Sequence, residues 1–301
     1  MSTITFPLQK FFNKVHGEAI SAMVEWAPNV RHLKYLESLE IAQETVFGDT
    51  VHDMELPLDK QLVEMFLENA KKEALIRQVQ CEGSDEIFMH DTGIYDLYVD
   101  PCDGSLNVLK RGLLNGLPFT MILTAMRAGG ILLKDVVAGI AIDLRLPFDA
   151  MTSFRHADGG MVAAVNNILV KVDQTATTID GQHIYIFEQY YEENRRLTHH
   201  IVQGCNEHSK GWFRNPGSAG YEMHLVGAGM AASYVCASQK MHELGAAYLF
   251  TKAAGGVAID FNGTDLGETV FDFNAQVPVI LAATPSLAEH ILKKVREFYG
   301  T

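Results

Sequence analysis

The sequence predicts a mixed α and β protein, with an α+β first half and an α/β second half. Three observations point there: apolar residues at helical spacing as far as Ala74, then strand-length runs joined through glycine turns, and after about residue 165 a regular alternation of strand and helix. Phe11, Val15, Ile20 and Met23 predict a helix over 7–29, and Tyr35, Leu39 and Ile41 a second over 35–47. Pro57–Ala74 reads as a third, with proline in the first turn, where its missing N–H costs no hydrogen bond. "ALIRQVQ" and "IYDLYV" have strand length and end in acidic residues, Glu82 and Asp100, so both strands deliver carboxylates to one edge. "LPFTMILTAMRAGG" and "DVVAGIAIDL" form a hairpin around Gly129 and Gly130, and a second hairpin turns at Gly159 and Gly160.

In the second half, the strands "HIYIFEQ", "GWFRN", "ASYVCAS", "GGVAIDF" and "PVILAAT" alternate with the helices "ENRRLTHHIVQG", "SAGYEMHLVGAG" and "HELGAAYLFTKAA". A last helix opens with the capping box Ser286 to Glu289. The division is into domains 1–164 and 165–301; no internal repeat or low-complexity linker separates them, so a cleft between the halves is the expected site.

Composition narrows the function. Of 301 residues, 48% are hydrophobic, enough for a large core. Lys and Arg number 24 against 37 Asp and Glu, and a net charge of -13 argues against a groove that grips a nucleic-acid polymer by its phosphates. Cys81, Cys102, Cys205 and Cys236 form no CxxC pair, which suggests neither a zinc knuckle nor a disulfide framework and fits a reduced, cytoplasmic setting. The N-terminus lacks a basic start followed by an apolar core, and no run reaches about 18 apolar residues, so no membrane association is expected.

The stretch Tyr98–Gly112, "YVDPCDGSLNVLKRG", sets two carboxylates three residues apart at the end of an apolar strand. Like charges this close call for a compensating cation or proton. Asp100 and Asp103 can face one point if the D-P-x-D-G sequence bends the chain sharply, with Gly104 relieving the steric cost and Cys102 offering its carbonyl. Ser105 to Asn107 then start a helix, whose free N–H groups suit a phosphate. Asp, Pro and Gly also mark ordinary turns. What favours a cation site is company on other elements, Glu82 and Glu243, since Mg²⁺ takes a few carboxylates and leaves room for water and phosphate.

With these residues in view, the chain resembles the inositol monophosphatase and fructose-1,6-bisphosphatase superfamily of metal-dependent phosphatases. Asp100-Pro101-Cys102-Asp103-Gly104-Ser105-Leu106-Asn107 fits its D-P-(I/L)-D-G-(T/S)-x-N motif, with cysteine at the variable apolar position. "HELGAAYLFTKAAGGVAID" matches a second element, with Glu243 replacing the aspartate of inositol monophosphatases as fructose bisphosphatases do. Arg214, Gly217, Ser218 and Ala219 match a third, R-x-x-G-(S/T)-A. The resemblance implies a layered α-β-α-β-α sandwich and a phosphatase for a small sugar or polyol phosphate, possible substrates including fructose 1,6-bisphosphate. It further implies two or three Mg²⁺ ions with Mn²⁺ as a substitute, a homodimer or tetramer, and inhibition by lithium. It makes Glu82, Asp100 and the Cys102 carbonyl ligands of one metal, and Asp100, Asp103 and Glu243 ligands of the second. Gly104 and Ser105 would give N–H groups to phosphate, the Ser105 hydroxyl and Glu82 would orient the attacking water, and Asp59 would hydrogen-bond Ser105 from behind. Arg214, Gly217, Ser218 and Ala219 would line the substrate site.

Two positions depart from the pattern: Gly83 follows Glu82 where the family has a second glutamate, and Val235-Cys236-Ala237 stands where inositol monophosphatases carry a glutamate for the inositol ring. The second departure speaks against a preference for inositol. The alternatives are a nucleotide 3′-phosphatase of the same superfamily and a noncatalytic descendant that binds metal or a partner. "HELGA" lacks the second histidine of a zinc-protease motif, and "GAGMAA" ends a helix instead of opening one. His52, His199, His200 and His208 read as surface or capping residues, while Lys210, Arg214 and Lys240 are candidates for a second substrate phosphate.

Overall fold

The computed structural model describes residues 8–31, 41–44, 50–52, 56–84, 87–104, 107, 117–145, 150–179, 183–203 and 211–300, apart from the side chains of 9, 23–31, 41–44, 50–52, 56, 57 and 59. Helix α1 (Gln9–Arg31) follows the predicted periodicity and buries Phe11, Phe12, Val15 and Ala19. The helix predicted over 35–47 is not present where it can be checked. Ile41–Glu44 form strand β1, paired antiparallel with β2 (Thr50–His52), while Tyr35 and Leu39 lie outside the described residues. So short an apolar spacing does not separate helix from strand, and pairing with β2 decides it. Helix α2 (Leu56–Ala70) keeps Pro57 in its first turn and stops four residues short of Ala74. Its buried stripe, Leu58, Leu62, Phe66 and Ala70, packs with α1 into one core against the strands that follow.

Those strands are β3 (Ile76–Cys81), β4 (Ile87–Met89), β5 (Tyr95–Asp103), β6 (Thr120–Arg127), β7 (Val136–Asp143), β8 (Ala150–Arg155), β9 (Met161–Val165) and β10 (Ile168–Leu169). They form one sheet in the order β10-β9-β8-β7-β6-β5-β3-β4, with β3 and β5 parallel and every other pair antiparallel. Both predicted glycine hairpins are there, as β6–β7 and β8–β9.

The second half alternates as predicted: β11 (Ile184–Phe187), α3 (Glu192–Gln203), β12 (Trp212–Arg214), α4 (Ala219–Gly227), β13 (Ser233–Lys240), α5 (Met241–Ala253), β14 (Val257–Ile259), β15 (Gln276–Ala282) and α6 (Pro285–Tyr299). The second sheet runs β12-β11-β13-β15-β14, parallel at the β12 end and antiparallel at the other. The cap of α6 differs from the prediction: the Thr284 hydroxyl accepts from the Leu287 N–H at 3.2 Å, and Pro285 takes the first helical position ahead of Ser286. Proline at that position starts the helix two residues earlier than the Ser286 cap predicts and makes Thr284 the cap.

Helices α4 and α5 fill the space between the sheets; α5 touches β5–β9 on one side and β13–β15 on the other. With α1 and α2 outside the first sheet, and α3 and α6 outside the second, the layers read α-β-α-β-α. Every residue of α5 from Met241 to Thr251 is buried, as a helix enclosed on both faces requires. Glycine lets the layers approach: a Cβ at Gly139 on β7 would lie 2.6 Å from the Ala246 Cα of α5. Gly139→Ala should therefore push sheet and helix apart at a cost of about 1–3 kcal/mol, read as a lower urea midpoint at unchanged slope.

His224, on α4, is buried with Nδ1 donating to the Gly220 carbonyl at 2.7 Å, and burial pushes its pKa down to about 4. The unfolded chain takes up this proton near pH 6.5, while the folded chain resists until about pH 4. Stability attributable to His224 is thus intact above pH 6.5 and lost on acidification towards pH 4, by on the order of 3 kcal/mol. Unfolding curves of His224→Leu across that range should lack this loss.

Candidate metal centre

Because β3 and β5 are parallel neighbours, their C-terminal ends open on the same side of the sheet. Glu82 leaves β3 there, its N–H bonded to the Val99 carbonyl at 2.8 Å, and Asp100 stands beside it on β5. The expected sharp turn at D-P-x-D-G takes another form, because β5 continues through Asp103 with a bulge. Asp100 pairs with Ile122 and Asp103 with Thr120, so three steps on β5 oppose two on β6. A three-residue spacing would put the two aspartates on opposite faces of a regular strand, and the extra residue resets that alternation. The Cys102 N–H donates to Asp100 Oδ1 at 3.0 Å within the bulge.

The opening of α5 brings the opposing groups. One potential ligand atom from each of Glu82, Asp100, His242 and Glu243 lies within 4.8 Å of every other. Lys240, just before α5, sets Nζ 2.9 Å from Glu82 Oε1 and 3.7 Å from Glu243 Oε1. Gln239 Nε2 donates to Glu243 Oε2 at 2.5 Å. Asp103 stands beside this set: its Oδ2 accepts from the Ser218 hydroxyl at 2.6 Å and from the Gly220 N–H at 2.8 Å, taking up a free N–H at the start of α4.

Burial and mutual repulsion show in the protonation. Burial raises the Asp100 carboxyl well above the usual range, reinforced by Glu82, Asp103 and Glu243. Burial also lifts Glu243 to about 8 against the pull of Lys240, and Asp103 to about 6 against its bonds from Ser218 and Gly220. For Glu82 burial pushes upward too, but His242 and Lys240 outweigh it and hold the group below its ordinary value. Buried carboxylates converging on one point fit a hard divalent cation, which offers the positive charge they lack.

Of the residues singled out in the sequence, Glu82, Asp100 and Glu243 come together, and Asp103 joins the edge of the group. Gly104, at φ +83°, abuts Ser218, where a Cβ would approach the Ser218 Cβ to 2.7 Å. Asn107 Nδ2 lies 2.8 Å from the Pro118 carbonyl, 3.0 Å from that of Pro216 and 3.1 Å from that of Gly217, tying the D-P-x-D-G segment to the loop before α4. The Glu222 carboxylate accepts the Gly217 N–H, and Ala219 begins α4. Thus Gly217, Ser218 and Ala219 flank the carboxylates, whereas Arg214 is exposed on β12 with its guanidinium 5.5 Å over the Trp212 ring. Asp59 lies in the first turn of α2, its side chain outside the description; Ser105, Cys205, His208 and Lys210 also lie outside the described residues. Sequence reasoning missed His242. Its adjacency to Glu243 at a helix start was the available signal, and it was discounted because the "HELGA" pattern had no second histidine.

No protein-family model matches the chain. Nus factor SuhB of Pasteurella multocida (strain Pm70) is 24% identical over 251 residues, covering 82% of this chain and 84% of the relative. Inositol monophosphatase-II of Staphylococcus aureus superposes with a TM-score of 0.71 at 15% identity, covering 97% of this chain and 94% of that one. An IMPase/NADP phosphatase complexed with Mg²⁺ and phosphate superposes with a TM-score of 0.64 at 18% identity, over 92% and 94% of the two chains. The chain has the inositol monophosphatase fold, the layered sandwich that its motifs imply. Among the described residues, no helix is long and apolar enough to cross a membrane.

Repulsion among these carboxylates gives a thermodynamic test. At free Mg²⁺ a hundredfold above its dissociation constant, unfolding in urea should cost about 2.7 kcal/mol more than in chelator. Asp100→Asn should be at least as stable without metal, because a buried repulsion is gone, and should lose most of the Mg²⁺ gain.

Proposed function

We propose that the protein is a Mg²⁺-dependent phosphatase of small sugar or polyol phosphate monoesters, with fructose 1,6-bisphosphate among the candidate substrates. The observation that carries this reading is the convergence of Glu82, Asp100 and Glu243 from both halves of the chain beside Gly104 and the start of α4. On this reading 1–164 and 165–301 are two domains that share one site. Glu82, Asp100 and the Cys102 carbonyl would hold one cation, and Asp100, Asp103 and Glu243 another, with Mn²⁺ as a substitute. Two such cations supply a nucleophile at neutral pH and neutralise the leaving alkoxide.

The chain's own part is positioning. The N–H groups of Gly104 and Ser105 hold the nonbridging oxygens of phosphate in a preorganised field. The Ser105 hydroxyl and Glu82 orient the attacking water, with Asp59 supporting Ser105. Ser218 and Gly220 keep one oxygen of Asp103 fixed, so the carboxylate presents its other oxygen without rotating. Gly217, Ser218, Ala219 and Arg214 contact the rest of the substrate. A dimer or tetramer follows from the same resemblance, and a cytoplasmic setting from cysteines that form no CxxC pair.

The deciding experiment is phosphate release with and without Mg²⁺ from inositol 1-phosphate, fructose 1,6-bisphosphate and a 3′-phosphonucleotide in parallel. Metal-dependent release is expected from a sugar or polyol ester, and silence on all three with Mg²⁺ bound would favour the noncatalytic alternative. Asp100→Asn should lower kcat by at least about a hundredfold with the far-UV circular dichroism spectrum unchanged. Ser105→Ala should lower kcat while leaving Mg²⁺ affinity nearly intact.

A further inference from the structure

We propose that His242 is a metal ligand through Nε2, so that the cation held by Glu82, Asp100 and Glu243 carries one imidazole nitrogen and the site prefers Mn²⁺ over Mg²⁺ more strongly than an all-oxygen site would. The inference rests on reading the carboxylate cluster as a metal centre and adds to that reading the identity of a nitrogen donor.

The ring's tautomer and direction are fixed by its neighbours. Nδ1 lies 2.9 Å from the Phe273 carbonyl, which can only accept, so Nδ1 carries a proton. Nε2 is then the nitrogen turned to the carboxylates, 3.2 Å from Glu82 Oε2 and 4.0 Å from Glu243 Oε1; in the ion-free chain it donates a proton to Glu82, and a bound cation would displace that proton to solvent. The side chain has no solvent exposure, and its ring stacks on Phe273 with centroids 4.6 Å apart and planes 28° from parallel. An imidazole that donates Nδ1–H to a carbonyl and turns Nε2 inward has the arrangement seen in ligating histidines, where the outer hydrogen bond sets the tautomer and raises the basicity of the bound nitrogen. Consecutive helical residues diverge by about 100°, so the convergence of His242 and Glu243 is set by their observed placement. His242 and Glu243 are consecutive, and with the first turn of α5 pressed against the end of β5 both reach the same point as Asp100.

Imidazole discriminates among dications. Mg²⁺ favours carboxylate, carbonyl and water oxygens, whereas nitrogen donors favour first-row transition ions. One nitrogen among the donors therefore shifts the preference towards Mn²⁺ without excluding Mg²⁺.

The test uses the whole chain loaded with Mn²⁺ alone. Electron-spin-echo modulation of the bound ion should show a ¹⁴N coupling, and His242→Phe, which keeps a ring against Phe273, should abolish it. Absence of the coupling in the native protein, or its persistence in the variant, overturns the assignment. In calorimetric titrations His242→Phe should weaken Mn²⁺ by about 10–100-fold and Mg²⁺ by clearly less. An equal loss for both ions would reduce His242 to a packing role and overturn the proposal. If the variant does not fold, His242→Gln is compared in its place, and the native coupling is still decisive. Nitrogen coupling in a protein that releases no phosphate would keep the ligand and remove the phosphatase reading; Mg²⁺-dependent release without the coupling would do the reverse.

Discussion

The structure is organised around a repulsion. Asp100, Glu82 and Glu243 point their carboxylates at one another in a space largely shut off from water, where like charges interact far more strongly than at the surface. No local preference of β3, β5 or α5 would assemble them; the apolar layers around them do. The core between α1, α2 and the first sheet anchors β3 and β5 from below, and the two-sided burial of α5 fixes where its first turn must end. Lys240 and His242 answer the charge of Glu82, at 2.9 and 3.2 Å, while burial and mutual repulsion raise the Asp100 and Glu243 carboxyls towards their protonated forms. An acidic centre maintained at this cost is best explained by something multiply charged that it holds.

Asp103 shows how the halves are joined. It belongs to the first sheet by sequence, yet its partners, Ser218 and Gly220, belong to the opening of α4 in the second half. An aspartate placed against free helical N–H groups is favoured by the helix dipole and satisfies a donor that would otherwise be orphaned. The same contact seats the loop 216–218 against Gly104, and Asn107 bridges that loop to the Pro118 carbonyl. Small residues at these points are a packing requirement, because Gly104 has both a positive φ and no space for a Cβ.

Much of this arrangement was legible because several local signals agree. The glycine hairpins, the β/α alternation of the second half and the D-P-x-D-G-S segment each have strong chemistry at fixed spacing. The failures are where the signal was weak or contextual. Tyr35 and Leu39 are spaced as on a helix, but Ile41 two residues on lies within reach of a partner strand, and sequence periodicity cannot weigh a pairing it does not see. The bulge in β5 was hidden because Pro101 and Gly104 read as one turn, whereas Pro101 and Cys102 lie in the bulge and the turn begins only at Gly104, past the end of the strand. His242 went unread for a different reason: its partner carboxylates lie about 160 and 140 positions away, and the only local template it resembled was one it failed to complete.

The net charge of -13 now acquires a physical meaning. A small anionic substrate approaching such a chain meets unfavourable long-range potential, which physiological salt confines to roughly 8 Å. Capture must then be short-range, through a cation and backbone N–H groups within that distance. On the proposed function the geometry fits this form, since Glu82, Asp100 and Glu243 converge on one point beside Gly104 and the start of α4. A site built this way ties affinity for an anion to occupancy by a dication. On the proposed function, the same carboxylates would repel the phosphate without the cation, so binding of the two would be coupled by electrostatics alone.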